Sequence, residues 1–324
     1  MRTLLRVHLV LLSFLLSGVP SFSQTHTRHS LLRDVLKQNS QATATHNPAP
    51  SSAVKKALAP AKVFRYTTTD YPGAAGSLVF DANTSTQVGA YTFNSTGNEN
   101  AFTFGGGVYR TLPVPGAAGG SFATGINSTG QIVGVYADSA GNQHGFLDNA
   151  GVFTTIDEPN AVGSTAIFEI NSGGVMVGSY EDSGQVTHGF SDNGGTFTTI
   201  DYPGATTTIC AGIDTAGDIV GEWDDPVTEH GFLMTTGGTF ISLDFPLAKS
   251  TVAIGINDSG EVAGYYQDAA SVNHGFIYAN GVFSSVDVPG GSGTQLTRIT
   301  NTGVITGLYL DSSSASEAHG IRGH

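Results

Sequence analysis

From Val63 onward the chain is a succession of short apolar runs divided by glycine and small polar residues, and residues 121–157 show the unit. Ser121 to Asn127 is a first run, closed by a turn from Asn127 to Gly130. Gln131 to Tyr136 is a second. The third opens at His144-Gly145-Phe146, and a turn from Asp148 to Gly151 leads into a fourth, Val152 to Asp157. Runs of this length, rich in β-branched and aromatic residues and bounded by Asn, Asp and Gly, predict strands. Asn or Asp opening a turn with Gly three residues later is ordinary turn chemistry. It recurs at Asn171/Gly174, Asp214/Gly217 and Asn257/Gly260, with Thr300/Gly303 as a weaker copy.

The unit repeats. The anchors His144, His188, His230 and His274 open four His-Gly-Phe copies, and Asn100-Ala101-Phe102 and His319-Gly320-Ile321 are degenerate ones. Successive anchors stand 44, 44, 42, 44 and 45 residues apart. A Gly-x-aromatic signature marks every second run: Gly89/Tyr91, Gly134/Tyr136, Gly178/Tyr180, Gly221/Trp223, Gly264/Tyr266 and Gly307/Tyr309. The fourth run ends in Asp-x-Pro at Asp70, Asp157, Asp201, Asp244 and Asp287, where proline stops a strand because it cannot donate to a ladder. Four antiparallel strands per repeat of this length predict a propeller blade.

The ends of the array predict closure. Val63 to Asp70 matches the fourth strand of a repeat, whereas the chain finishes at His319 to His324, which matches the third. The orphan N-terminal strand can therefore complete the last blade. This gives an all-β, six-bladed β-propeller over residues 63–324 with no half-blade left open. A β-solenoid would show shorter rungs and would need no complementary ends.

Ahead of the array, Arg2 and Arg6 followed by the apolar run Val7 to Val19 and Ser21-Phe22-Ser23 read as a signal peptide over residues 1–23. A retained anchor is the competing reading; after cleavage no transmembrane segment is expected. Residues 24–62 read as a flexible basic linker, with Arg28, Arg33, Lys37, Lys55, Lys56 and Lys62 against Asp34, a balance of +5. Residues 63–324 carry −20, which disfavours nucleic acid and anionic lipid as partners. The expected setting is secreted, periplasmic or extracellular, and the expected state a monomer. The single cysteine, Cys210, takes the slot of Ala123 in an earlier repeat and reads as a small buried residue.

The combination Gly-Ile-Asn-x-x-Gly-x-(Ile/Val)-Val-Gly-x-Tyr, then Asp, then His-Gly-Phe, resembles the bacterial extracellular repeats called the HAF (His-Ala-Phe) family. The resemblance covers about residues 63–324, with Gly in place of the family's Ala except at Ala101. It implies secretion and repeat architecture, and no reaction, cofactor or catalytic residue.

The pairs Asp138/His144, Asp182/His188, Asp224/His230 and Asp268/His274 stand six residues apart, and Asp311/His319 eight. Such pairs could bind metal or act as base and orienter. In the first repeat both positions become Asn together, Asn94 and Asn100, which favours a structural pair whose side chains bond each other. On a repetitive scaffold, function is expected where the repeat is broken. One break is the segment Glu222, Trp223, Asp224, Asp225 and Glu229, whose carboxylates beside the only tryptophan suit calcium or a sugar; its competing reading is a blade core and a solvated loop. Another is the innermost-strand slot held by Gly125, Gly212 and Gly255 in three repeats but by Asp81, Glu169 and Arg298 in the others. In a closed ring the blades of Asp81 and Arg298 are neighbours, so these two are expected to pair near the channel.

No Gly-x-Ser-x-Gly elbow, His-Glu-x-x-His helix or phosphate-binding Gly-Lys-Ser loop occurs. The leading expectation is a binding or interaction module for a glycan, a cell surface or a protein, with its contact surface where the Asp-x-Pro and Asp…His loops emerge. No cofactor is expected unless calcium binds. The alternative is an extracellular glycan-active hydrolase or lyase built on the acidic 222–229 segment.

Overall fold

The computed structural model describes residues 64–74, 76–92, 98–311 and 318–324. The expected signal and linker, residues 1–23 and 24–62, lie outside these, as do Val63 and Asn94. Among the described residues there is no helix, and the strands form six four-stranded antiparallel sheets arranged as a six-bladed propeller. Five blades are continuous, at residues 76–111, 120–156, 165–200, 207–243 and 250–286. The sixth joins Gly291–Ile299, Ile305–Asp311 and Ala318–Gly323 to the N-terminal strand Tyr66–Thr68. Tyr66 stands opposite Gly323 and Thr68 opposite Ile321. The ring closes as the two ends of the repeat array require. The closing strand is shorter than the expected 63–70, although Arg65 N and Thr69 N still donate to His324 O and Gly320 O at 3.1 Å. Beyond Thr69 the chain turns away at Pro72, which has no N–H to offer.

Each blade carries a bulge on its innermost strand, for example between Ala123 and Gly125 against Gly134 and Val133. The same register shift appears in all six inner pairs. The bulge explains the glycine of Gly-x-aromatic: a Cβ on Gly134 would overlap the Phe122 carbonyl oxygen and lie 2.6 Å from the Phe146 ring. The glycine of His-Gly-Phe has a different cause, the close approach of the next blade. A Cβ on Gly145 would lie 2.5 Å from Ile167 Cγ1 and 2.9 Å from Ile156 O.

The aromatic of the anchor fills the core. Phe102, Phe190, Phe232, Phe276 and the equivalent Ile321 are wholly buried, as is Phe146. Each such burial stabilises the fold by about 1.5–3 kcal/mol relative to exposure. Cys210 is equally buried, and desolvation pushes its thiol far above the ordinary range, which leaves it an inert filler. The Asp-x-Pro link stitches blade to blade through its middle residue. The N–H groups of Tyr71, Glu158, Tyr202, Phe245 and Val288 donate to Ser77, Thr165, Thr208, Thr251 and Thr294 on the following inner strand, at 2.7–3.1 Å.

Candidate functional site

The repeated histidine is held on both sides. His144 Nδ1 donates to Asp157 Oδ1 at 2.9 Å, and its Nε2 lies 3.5 Å from Asp138 Oδ2. His188 meets Asp201 and Asp182 in the same way, and His274 meets Asp287 and Asp268. The ring of each histidine also stacks on the aromatic of Gly-x-aromatic, Tyr136, Tyr180 and Tyr266 at centroid distances of 5.0–5.2 Å. With both nitrogens facing carboxylates and one ring face covered, these groups brace the blade and leave no free imidazole nitrogen to act as a base. The Asp138 carboxyl is held down to about 2, the Asn142 side-chain amide being the largest cause. Asp182 and Asp268 are lowered chiefly by the N–H groups of Val186 and Val272. Sequence reasoning found the Asp before the histidine and missed the shorter bond, to the Asp of Asp-x-Pro. That residue had a sufficient role as the end of a strand.

One pair needs correction. The partner of His230 is Asp225, 3.6 Å from Nε2, and not Asp224; Asp244 takes Nδ1 at 2.7 Å. The ladder ends at Asp224 opposite Glu229, as it ends at Ala137 opposite Gln143, but the turn that follows is one residue shorter, so the aspartate that opens it stands five residues before the histidine and not six. Asp225 Oδ1 then accepts the N–H groups of Val227 and Thr228, as Asp138 Oδ1 accepts those of Ala140 and Asn142. Burial works to raise Asp225, and these two bonds with His230 outweigh it and leave it lowered. His230 itself is raised, first by its bond to Asp244. In the sixth blade His319 Nδ1 faces Asp70 across the closure, at 3.4 Å; the side chain of Asp311 lies outside the described residues, and so does the expected partner of Asn100, which instead donates to Asn98 O at 3.2 Å.

The five candidate residues between Glu222 and Glu229 divide: three carboxylates gather on one face, and Trp223 and Asp225 go with His230. Strand alternation puts Glu222 and Asp224 on one face of the fourth blade, with Glu229 opposite Asp224, and sends Trp223 to the other. Trp223 lies parallel to Tyr202 at 4.2 Å and stacks on His230 at 4.4 Å. Tyrosines in the equivalent slot hydrogen-bond Thr155, Thr199 and Ser285, whereas the buried Trp223 Nε1 has no hydrogen-bond partner. Glu222 is only 5 % exposed. Burial, then Glu229 and Asp224, push its carboxyl well above the usual range, and the same carboxylates join burial in raising Tyr265 of the next blade. Among the described residues no group of three or more His, Cys, Asp or Glu is arranged to hold a metal ion.

The second break in the repeat does converge. Arg298 Nε donates to Asp81 Oδ1 at 3.0 Å, as expected of neighbours at the closure, and Arg298 Nη2 pairs with Glu169 Oε2 as well. Asp81 Oδ2 also accepts the Ile126 N–H at 2.8 Å, and Glu169 Oε1 the Ile170 N–H at 3.0 Å. All three side chains are buried. The glycines in the other three blades make room: a Cβ on Gly255 would sit 2.9 Å from Arg298 Cα, and one on Gly125 3.0 Å from Glu169 Cα.

Above this trio, two residues further along each inner strand, the six turns form the mouth of the channel. Asn127 Oδ1 accepts the N–H groups of Thr129 and Gln131 and so shapes its own turn, while its Nδ2 donates to Asn171 O in the next blade at 3.2 Å. Asn83, Asn171 and Asn257 likewise donate to Asn127 O, Asp214 O and Thr300 O at 3.0–3.1 Å. The circle of amide bonds has no such donor at Asp214, whose carboxyl is raised by burial, or at Thr300. Outside it stands a collar of six exposed residues, one per blade: Thr84, Ser128, Ser172, Thr215, Asp258 and Asn301. Asp258 Oδ1 accepts the Thr215 N–H at 2.9 Å, Asn301 Nδ2 donates to Asp258 Oδ2, and Ser128 donates to Ser172 at 3.2 Å. Collar, amide circle and buried trio together line a cavity of about 360 Å3. It opens at the end of the ring opposite the Asp-x-Pro and Asp…His loops, where the sequence had placed the contact surface. The turn residues looked like ordinary turn formers, and their convergence is a product of the closed ring.

No family model and no curated protein sequence matches the chain. Among solved structures, virginiamycin B lyase from Staphylococcus aureus is similar over 81% of this chain and 88% of its own, at 11% identity and a TM-score of 0.47. A fucose-specific lectin from Aleuria aurantia is similar over 76% and 91%, at 12% identity and 0.47. The β-propeller domain of a protease from Pyrococcus furiosus is similar over 76% and 94%, at 9% identity and 0.49. A likeness of this size carries nothing about ligand or reaction.

Proposed function

We propose that this propeller is a secreted binding module that takes a saccharide end group at the mouth of its channel. One observation carries the reading: a cavity of about 360 Å3 rimmed by one exposed polar side chain from each blade, five of them neutral hydroxyls or amides. Rings of hydroxyl and amide groups offer both donors and acceptors, which is what a polyhydroxylated ligand requires. The buried Asp81–Arg298–Glu169 trio closes the floor and makes the site a socket of fixed depth.

The hydrolase or lyase reading rests on Glu222, a carboxyl pushed well above its usual range by burial and by the two carboxylates beside it, which is the direction a general acid needs. At 5 % exposure Glu222 has no room to meet a substrate in this conformation, so binding is favoured. A glycan array probed with the full-length secreted protein, followed by mass analysis of the bound saccharides after long incubation, separates the two. Retention of intact saccharide supports the binding module; shortened or unsaturated products would replace it with the enzyme.

A further inference from the structure

The charges around the mouth are not balanced, and their placement narrows the ligand. Four carboxylates line the cavity, Asp81, Glu169, Asp214 and Asp258, against two guanidinium groups, Arg298 and Arg322. Arg298 is already engaged by both Asp81 and Glu169, so it offers nothing to an anionic ligand and leaves the floor with a surplus negative charge. On the collar the asymmetry is sharper. Five of the six positions are neutral, and Asp258 alone is charged. Its carboxylate is fixed rather than mobile, because the Thr215 N–H and the Asn301 amide each hold one oxygen. The Thr215 hydroxyl adds a third bond to this carboxylate, and a carboxylate with about four lone-pair sites still has room for one further donor.

We infer that the mouth prefers a saccharide carrying a free amino group, with its hydroxyls on the neutral arc of the collar and its ammonium against Asp258. The inference rests on the reading of the mouth as a saccharide site. Burial works to raise the Asp258 carboxyl, but the bonds from Thr215 and Asn301 outweigh it and hold the group below its usual range, so it stays ionised while an amino sugar is protonated. An N-acetylated sugar has the same ring and hydroxyl pattern without the charge. The two therefore differ at the one point where the collar departs from neutrality. A pair of this kind at a half-enclosed rim weakens as salt screens it.

Calorimetric titration of the full-length protein at pH 6 and low salt, with a β-1,4-linked glucosamine oligomer and with its fully N-acetylated counterpart, tests this. The expected result is at least ~10-fold tighter binding of the free amine, equivalent to about 1.4 kcal/mol. Asp258→Asn, which keeps the size of the side chain and one of its two acceptor oxygens, should bring the two ligands within about twofold, and Asp258→Glu should restore part of the difference. Equal or tighter binding of the acetylated oligomer by the wild type overturns the amine preference and leaves the saccharide site standing. A preference that survives Asp258→Asn overturns the assignment to this carboxylate. Binding of neither oligomer, with no saccharide retained on the array, overturns the saccharide reading and this inference with it.

Discussion

Arg298 of the sixth blade pairs with Glu169 of the third, and in a ring of six these blades stand opposite each other across the channel axis. The same guanidinium holds Asp81 of the first blade. Closure is therefore secured twice, by the Tyr66–Thr68 strand at the rim and by one arginine at the axis. Removing one member of a buried charge network leaves the others uncompensated, which costs about 3–5 kcal/mol. Arg298→Met should lower the thermal midpoint by many degrees, and adding Asp81→Asn and Glu169→Gln should recover most of it. A midpoint unmoved by Arg298→Met would show that the trio contributes nothing to closure.

The break in the amide circle at Asp214 is reparable. Asp214→Asn supplies the missing Nδ2 donor toward the fifth blade and removes a carboxyl that burial already disfavours as an anion. A net gain of about 0.5–1.5 kcal/mol is expected from one such bond, read as a higher denaturant midpoint with an unchanged m-value. Asn171→Ala, which removes a working member of the circle at Asp214 O, should lose a similar amount.

The closed ring was legible in the sequence because it depends on period and on complementary ends, both of which are written along the chain. The Arg298–Asp81 pair was legible for the same reason, since adjacency follows from blade order. Glu169 was not, because its contact with Arg298 spans the diameter and depends on the reach of one side chain. Asp157 and its equivalents were hidden by distance in sequence: Asp157, Asp201 and Asp287 lie 13 residues from their histidines and Asp244 lies 14, across the blade's outer pair of strands, while Asp70 lies 249 from His319. The Asp224 assignment failed because spacing was carried over from the longer repeats to one that is shorter.

Stability should depend on pH in two opposite senses. Glu222 is raised in the folded state, so it contributes stability below the ordinary carboxylate value of 4.5 that is lost as pH rises toward its folded value. Asp138, Asp182, Asp225 and Asp268 are lowered, so their contribution is present above 3.8 and is lost as pH falls, for Asp138 through about 2. His230, raised above 6.5, loses its contribution as pH climbs past that value. Midpoints measured from pH 3 to 9 should decline on the alkaline side, and Glu222→Gln should flatten that decline. An identical profile for the variant would sink this assignment.

The histidine groups are bracing, not binding, elements. His188→Ala removes the bond to Asp201 and the stack on Tyr180, and it should cost about 1–2 kcal/mol of stability. Affinity for the array's best saccharide should stay within about twofold of wild type, because His188 lies at the far end of the ring from the collar.

If ligand sits at the mouth of the channel, a bulky side chain on the collar should exclude it. Ser172 is exposed on the collar, so Ser172→Trp can fill the cavity without touching the blade core. The decisive comparison is titration of the best saccharide from the array into wild type and Ser172→Trp, with matched thermal midpoints. A loss of at least ~100-fold, about 2.7 kcal/mol, is predicted for the variant. Affinity unchanged by Ser172→Trp would place the ligand elsewhere on the propeller and overturn the mouth as its site.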